Sequence, residues 1–169
     1  MAERRALFLD RDGTINVDYH YVHRTEDFEW VPGIVELCRA AVGKGYDIVI
    51  VTNQSGLERG YFTEADYQNL TAHMLRLFAA EGVSVLDVLH CPWLEHPDRK
   101  PNPGLFLKAR DKWGIDMAAS YSLGDKPRDV LAGTRAGVGH NYLLDAAATV
   151  CEGAEGILPS PTALIPLLS

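Results

Sequence analysis

Residues Ala6 to Leu9 are four apolar side chains in a row that run straight into Asp10, followed by Arg11, Asp12, Gly13 and Thr14. A short unbroken apolar run reads as a strand buried on both faces, the kind found in parallel sheets covered by helices. Glycine at position 13 can take backbone shapes closed to other residues, so the chain can turn sharply after the second acid. A strand ending in Asp-x-Asp-Gly-Thr therefore brings two carboxylates to the carboxyl edge of a sheet, where open α/β folds bind their ligands. One acid can attack while its neighbour handles a proton, provided a cation tempers their repulsion. A solvated Asp-Gly turn is the plainer reading, and three later strand ends carrying parts of the same chemistry weigh against it.

The rest of the chain alternates apolar runs with helical patterns, which predicts a doubly wound, mostly parallel α/β sheet. Residues 15 to 31 have no period and are rich in Tyr, His and acids, so they read as a flap over the site. Pro32-Gly33 opens a helix through Val42 with Ile34, Leu37, Cys38 and Ala41 on one face, and Gly43-Lys44-Gly45 stops it. Tyr46 to Val51 is a second strand, ending in Thr52-Asn53-Gln54-Ser55-Gly56. Thr63 caps a helix to about Glu81 whose expected buried stripe is Leu70, Met74, Leu77 and Phe78. Val85 to Leu89 follows as a third strand, and Cys91 to Pro101 as a proline-rich loop. Asn102 as cap and Pro103 as first helical residue predict a helix to Trp113. Tyr121 to Gly124 is a fourth strand ending at Asp125, Pro127 to Ala136 a helix, Val138 to Leu144 a fifth strand, and Ser160-Pro161 begin a short terminal helix.

With 169 residues, no linker and no repeat, residues 1–169 are expected to form a single domain with no separate cap over the site. A net charge of −7 without any basic tract argues against nucleic acid as the partner, although a local cation cluster could still bind an anion. Three scattered cysteines give no disulfide framework. No apolar run reaches membrane-spanning length, and the short apolar strand that follows Met-Ala-Glu-Arg-Arg is too short for a signal peptide core. These features lead us to expect a cytoplasmic monomer without a membrane partner.

Asp10-Arg11-Asp12-Gly13-Thr14 resembles the first motif of the haloacid dehalogenase superfamily of phosphotransferases. The longer run from Phe8 to Asn16 resembles the branch that holds the heptose bisphosphate and histidinol phosphate phosphatases. The resemblance implies a capless Rossmann-like fold and hydrolysis of a sugar phosphate monoester through an aspartyl-phosphate. It implies Asp10 as nucleophile and Asp12 as general acid and then base. Thr52 and Asn53, in a Val-Thr-Asn-Gln-Ser-Gly string typical of the branch, would hold phosphoryl oxygens. Lys100, in Arg99-Lys100-Pro101, would neutralise charge on nucleophile and phosphoryl group, with Arg99 gripping a second anionic or hydroxyl group. Asp125, in Gly124-Asp125-Lys126, would complete a Mg²⁺ site with the Asp10 carboxylate and the Asp12 carbonyl. Asp129 would either ligate through water or cap the next helix, and Lys126 would steer substrate or face solvent. Asn16, Asp18, Tyr19, His20, Tyr21 and His23 of the flap are candidate polyol contacts.

The chain departs from the branch in one place. Its zinc loop of the form Cys-x-His followed by Cys-x-Cys is reduced here to Cys91, with Trp93 in the histidine position. His90, Cys91 and His96 make at most three ligands where structural zinc wants four, so no zinc is expected. The resemblance implies the 7-phosphate of a heptose 1,7-bisphosphate as the target, with histidinol phosphate as the alternative substrate. From another class, a receiver-like signalling module would share the strand-end acids, Thr and Lys, yet it would keep its aspartyl-phosphate. Asp12, poised to activate water, argues against that reading.

Overall fold

The computed structural model describes residues 3–169. Its centre is a six-stranded sheet in the order β3-β2-β1-β4-β5-β6 with every pairing parallel. The strands are β1 (Arg5–Leu9), β2 (Tyr46–Asn53), β3 (Val85–Cys91), β4 (Tyr121–Gly124), β5 (His140–Leu144) and β6 (Gly156–Leu158). The helices between them are α1 (Ile34–Gly43), α2 (Glu64–Ala80), α3 (Gly104–Trp113) and α4 (Pro127–Arg135). The chain is thus the doubly wound α/β protein that its alternating pattern predicts. No helix among the described residues is long and apolar enough to cross a membrane.

Side chains alternate across a strand, and β1 shows both faces at work. Leu7 and Leu9 enter one core with Ile34, Leu37, Ile48, Met74 and Phe78. Ala6 and Phe8 enter the other with Val49, Val51, Phe106 and Ala109, and the Phe8 and Phe106 rings lie 4.9 Å apart. All four of these β1 residues are fully buried, which is why the run carries no polar position. The register places Leu9 beside Ile50 on one side and Leu123 on the other. The residues that follow these three strands therefore emerge together at one edge.

Several details differ from expectation. The stripe of α2 is Tyr67, Leu70, Met74 and Phe78, with Leu77 only half-buried, because Tyr67 lies one turn before Leu70 and two before Met74 and completes their face. Thr63 caps α2 as expected, in a reciprocal box with Asp66. Asn102 is not the cap of α3. Pro103 is, and the Asn102 amide instead donates to the His96 carbonyl at 2.9 Å. Gly104 donates to the Pro97 carbonyl at 3.1 Å and packs so close to Asp98 that a β-carbon there would overlap it. β5 begins at His140 rather than Val138, since the Val138 and Gly139 amides are taken by Gly133 and Met117.

The three-residue β6 has no sequence signature, and the C-terminal helix is of 3-10 type over Pro161–Leu167. The flap is stitched to itself by Val17 N–H to Glu29 and Val31 N–H to Ile15, and Trp30 anchors it against Phe78 with ring centres 4.6 Å apart.

Candidate active site

The carboxyl edge of the sheet opens into a cavity of about 310 Å³. Asp10 and Asp12 line it from the end of β1, Asn53, Gln54 and Ser55 from the end of β2, and Arg99 and Lys100 from the loop before α3. Asp125, Lys126, Arg128 and Asp129 line it from the end of β4 and the first turn of α4, and Asp18, His20 and Tyr21 of the flap line it with Arg59. His20 and Tyr21 hold left-handed backbone conformations, with φ of 65° and 54°. Such conformations are rare for residues with side chains and cluster where a loop must present groups to a site.

Three carboxylates, those of Asp10, Asp125 and Asp129, each offer an oxygen within 4.8 Å of the others. Packing like charges this closely with little water costs energy unless a cation is among them. Lys100 supplies one. Its fully buried ammonium donates to Asp10 Oδ1 at 2.9 Å and to the Val51 carbonyl at 2.7 Å, and it lies 2.7 Å from Asp129 Oδ1. Burial works against this ammonium, but Asp10 and Asp129 more than offset it and hold its pKa above the ordinary lysine value. One lysine does not balance three acids. Burial, together with Asp129 and Asp125, pushes Asp10 well above the usual carboxylate range. Burial and Asp129 likewise raise Asp125.

Asp125 Oδ1 is buried with no hydrogen-bond partner. An orphaned carboxylate oxygen beside two further carboxylates fits a hard divalent cation such as Mg²⁺, which favours oxygen ligands and small, well-defined sites. Gly13, with φ of 87°, is what lets the turn approach: a β-carbon there would overlap the Asp125 carboxylate. Asp129 both caps and faces the site, as its Oδ2 accepts the Lys126 N–H at 3.0 Å while its Oδ1 turns to Lys100.

Asp12 sits apart from this cluster in a cradle of donors. Arg11 Nη2 and Asn16 Nδ2 each lie 3.0 Å from its Oδ1, and Gln54 Nε2 lies 2.9 Å from its Oδ2. The carboxylate is thus oriented but stays partly open to the cavity.

Not every expected residue faces the cavity. Asn16 is fully buried behind Asp12. The Thr52 hydroxyl is buried too, donating weakly to the Asn53 carbonyl at 3.3 Å and accepting from Gln54 at 3.0 Å, so it is Asn53 to Ser55 that line the cavity at this strand end. Tyr19 points to solvent and bonds Glu29 at 2.6 Å. His23 stacks on Phe62. Asn53 fixes the lysine loop, its side chain donating to the Lys100 carbonyl at 3.1 Å and accepting the Lys100 N–H at 3.0 Å. Gln54, Ser55, Arg59 and Arg128 escaped the sequence reading. Their proximity to the ends of β2 and β4 was the available signal.

The family described as polynucleotide kinase 3 phosphatase matches residues 6–135. A D-glycero-alpha-D-manno-heptose-1,7-bisphosphate 7-phosphatase of Campylobacter jejuni is 46% identical over 142 residues, covering 83% of each chain. The chain belongs to the haloacid dehalogenase phosphatases, in their heptose bisphosphate phosphatase branch. Within this family, an alpha-anomer enzyme of Burkholderia mallei is 41% identical over 99% of this chain and 95% of its own. A beta-anomer enzyme of Escherichia coli is 43% identical over 89% of this chain and 84% of its own. Among solved structures, a D,D-heptose 1,7-bisphosphate phosphatase from B. bronchiseptica, complexed with magnesium and phosphate, superposes with a TM-score of 0.87 at 27% identity and covers 97% of both chains. A putative haloacid-dehalogenase-like phosphatase from Mesorhizobium loti gives the same TM-score at 36% identity, over 99% of this chain and 88% of that one.

Proposed function

We propose that this chain is a Mg²⁺-dependent phosphatase that removes the 7-phosphate of D-glycero-D-manno-heptose 1,7-bisphosphate. The observation that carries the reading is the packing of Asp10, Asp125 and Asp129 against one another, with Asp10 and Asp129 paired to one buried lysine, in a family whose relatives are named for this reaction. A cavity of about 310 Å³ has the size of a small-molecule site, and its polar walls suit a hydroxyl-rich anion. Arg59, Arg99, Lys126 and Arg128 give it cations beyond Lys100.

In the proposed cycle an Asp10 carboxylate oxygen attacks phosphorus, and the bond to the sugar oxygen breaks as that oxygen takes a proton from Asp12. Water then attacks the aspartyl-phosphate, Asp12 takes the proton back, and phosphate leaves with Asp10 restored. Lys100 offsets charge on Asp10 and on the phosphoryl oxygens throughout, and Ser55 at the end of β2 would hold those oxygens, since the Asn53 and Gln54 side chains are already bonded to the lysine loop and to Asp12. Asp10, Asp125 and the Asp12 carbonyl would hold the magnesium, with Asp129 beside it, and the ion would supply charge neutralisation for the transferring group. Asp18, His20 and Tyr21 of the flap, with Arg99 and Lys126, would contact the sugar and its second phosphate. Asn16 and Thr52 would act from behind, on Asp12 and Gln54.

The proposal describes a cytoplasmic monomer acting on a small sugar bisphosphate. An acidic chain of net charge −7 favours this over a polynucleotide substrate. The test is phosphate release from a panel holding both anomers of the heptose bisphosphate, histidinol phosphate and a 3′-phosphorylated oligonucleotide, each with and without Mg²⁺. Preference for a heptose bisphosphate, dependent on Mg²⁺, is expected. Preference for histidinol phosphate or the oligonucleotide would retire the substrate assignment.

A further inference from the structure

Arg11 stands between the two acids of the first motif, yet its side chain does not reach the cavity. It turns inward and is 1% exposed, one of the largest fully buried side chains of the protein. Burying a guanidinium is costly unless it is paired and hydrogen-bonded. Here its carboxylate partner is Asp12, 3.0 Å away, and the only other hydrogen bond of that nitrogen among the described residues goes to the carbonyl of Val22, at 2.8 Å. Its Nε is buried without a partner. A greasy side chain would fill this space more cheaply, so the arginine's position on Asp12 is what its burial maintains. Val22 belongs to the flap whose residues 18, 20 and 21 line the cavity, so one side chain ties the flap to the acid.

Gln54 closes the other side. Its Nε2 donates to Asp12 Oδ2 at 2.9 Å and to the buried Thr52 hydroxyl at 3.0 Å, a partner that fixes the amide's orientation. Arg11 on one oxygen and Gln54 on the other define the plane of the carboxylate. About a fifth of the Asp12 side chain remains exposed, at 21%, and that part faces the cavity.

We infer that Arg11 and Gln54 are positioning residues, a clamp that holds the Asp12 carboxylate at the angle its proton transfers require. This rests on the phosphatase reading above and adds to it the two side chains on which the second half-reaction depends. Misplacing a proton-transfer group by a fraction of its hydrogen-bond length slows the step it serves more than it weakens substrate binding.

The discriminating substrate is p-nitrophenyl phosphate. Its phenolate leaves with the electron pair of the broken P–O bond and needs little help from an acid, so formation of the aspartyl-phosphate is spared. Hydrolysis of that intermediate still needs Asp12 to take a proton from water.

With the full-length chain and Mg²⁺, Arg11→Met should lower kcat by about 10- to 100-fold while KM changes by less than about threefold. It should also show a rapid burst of nitrophenol close to one per enzyme before the slow steady state. Arg11→Lys, which keeps the charge but offers no fork, should recover part of the rate. Gln54→Leu introduces no unpaired charge and should give the same burst. It decides the matter if Arg11→Met does not fold.

A folded variant that keeps kcat, or that loses rate through KM with no burst, would overturn the clamp while leaving the phosphatase reading intact. Absence of Mg²⁺-dependent turnover in the unaltered protein would instead overturn that reading, and the clamp with it.

Discussion

Asp10 and Lys100 touch, yet removing either should have opposite effects on stability. Lys100 is the only buried cation against Asp10 and Asp129 among the described residues, so Lys100→Met strands two carboxylates in a poorly hydrated pocket. Breaking such a pair costs roughly 3–5 kcal/mol, and loss of a charge-stabilising donor lowers kcat by about 10²–10³-fold. Asp10→Asn removes one of three mutually repelling acids and leaves the lysine paired with Asp129. Without magnesium this variant should melt at or above the unaltered protein's temperature, while turnover falls to background. Thermal unfolding of the two variants side by side checks the pair. Equal destabilisation by both would mean that the carboxylates do not strain one another. Little of this balance was visible in the chain as a string of letters. Asp10, Asp12 and Asp125 announced themselves by standing at strand ends, but Asp129 reads equally as a ligand through water or a helix cap until its second oxygen is seen beside Lys100, 29 positions away. Gln54 and Asn16 gave no hint of bonding Asp12, because a carboxamide in a polar turn looks the same wherever it points.

At the level of elements, the site depends on three parallel strands ending in register, with the turn after β1 folded tightly enough to bring it against the end of β4. Gly13 is the pivot of that turn. A methyl group there meets the Asp125 carboxylate, and the left-handed φ of 87° adds strain for any other residue. Gly13→Ala should therefore cost about 1–3 kcal/mol in stability and reduce kcat by at least about 100-fold, measured by chemical denaturation and steady-state assay. Retention of full activity would show that the turn and Asp125 are not in close packing. The strands were legible because burial on both faces leaves nothing polar in them, and α2 because its cap and stripe are local. The three residues of β6 were not, since their pairing with β5 alone makes them a strand. The Asn102 cap failed for a tertiary reason: the Pro97 carbonyl and Asp98 claim the space at Gly104 and move the helix start by one residue.

For the molecule as a whole, the raised carboxylates make magnesium part of its stability. Asp10, through burial and its neighbours Asp129 and Asp125, and Asp125, through burial and Asp129, both bind protons more tightly folded than their ordinary value of 3.8. The folded form is therefore favoured below that value, and the contribution is lost as pH rises through the raised values. In metal-free solution these two acids should take stability away as pH climbs above 3.8 and through their raised values, and added Mg²⁺ should restore it increasingly as pH rises. An excess of about 100 times Kd contributes roughly 2.7 kcal/mol, or about 5–10 °C in Tm for a chain of this size. Melting curves across that range with EDTA or Mg²⁺ would contradict the account if the metal effect were flat with pH. The central claim is covalent transfer to one aspartate, and its most direct measurement is mass spectrometry of the Asp12→Asn protein, acid-quenched during Mg²⁺-supported turnover of p-nitrophenyl phosphate, whose leaving group needs no acid. The account predicts a phosphoryl group on the peptide containing residue 10, carried by Asp10 itself and absent when Mg²⁺ is withheld. A phosphoryl group on any other residue, or undiminished phosphate release with none trapped, would contradict it.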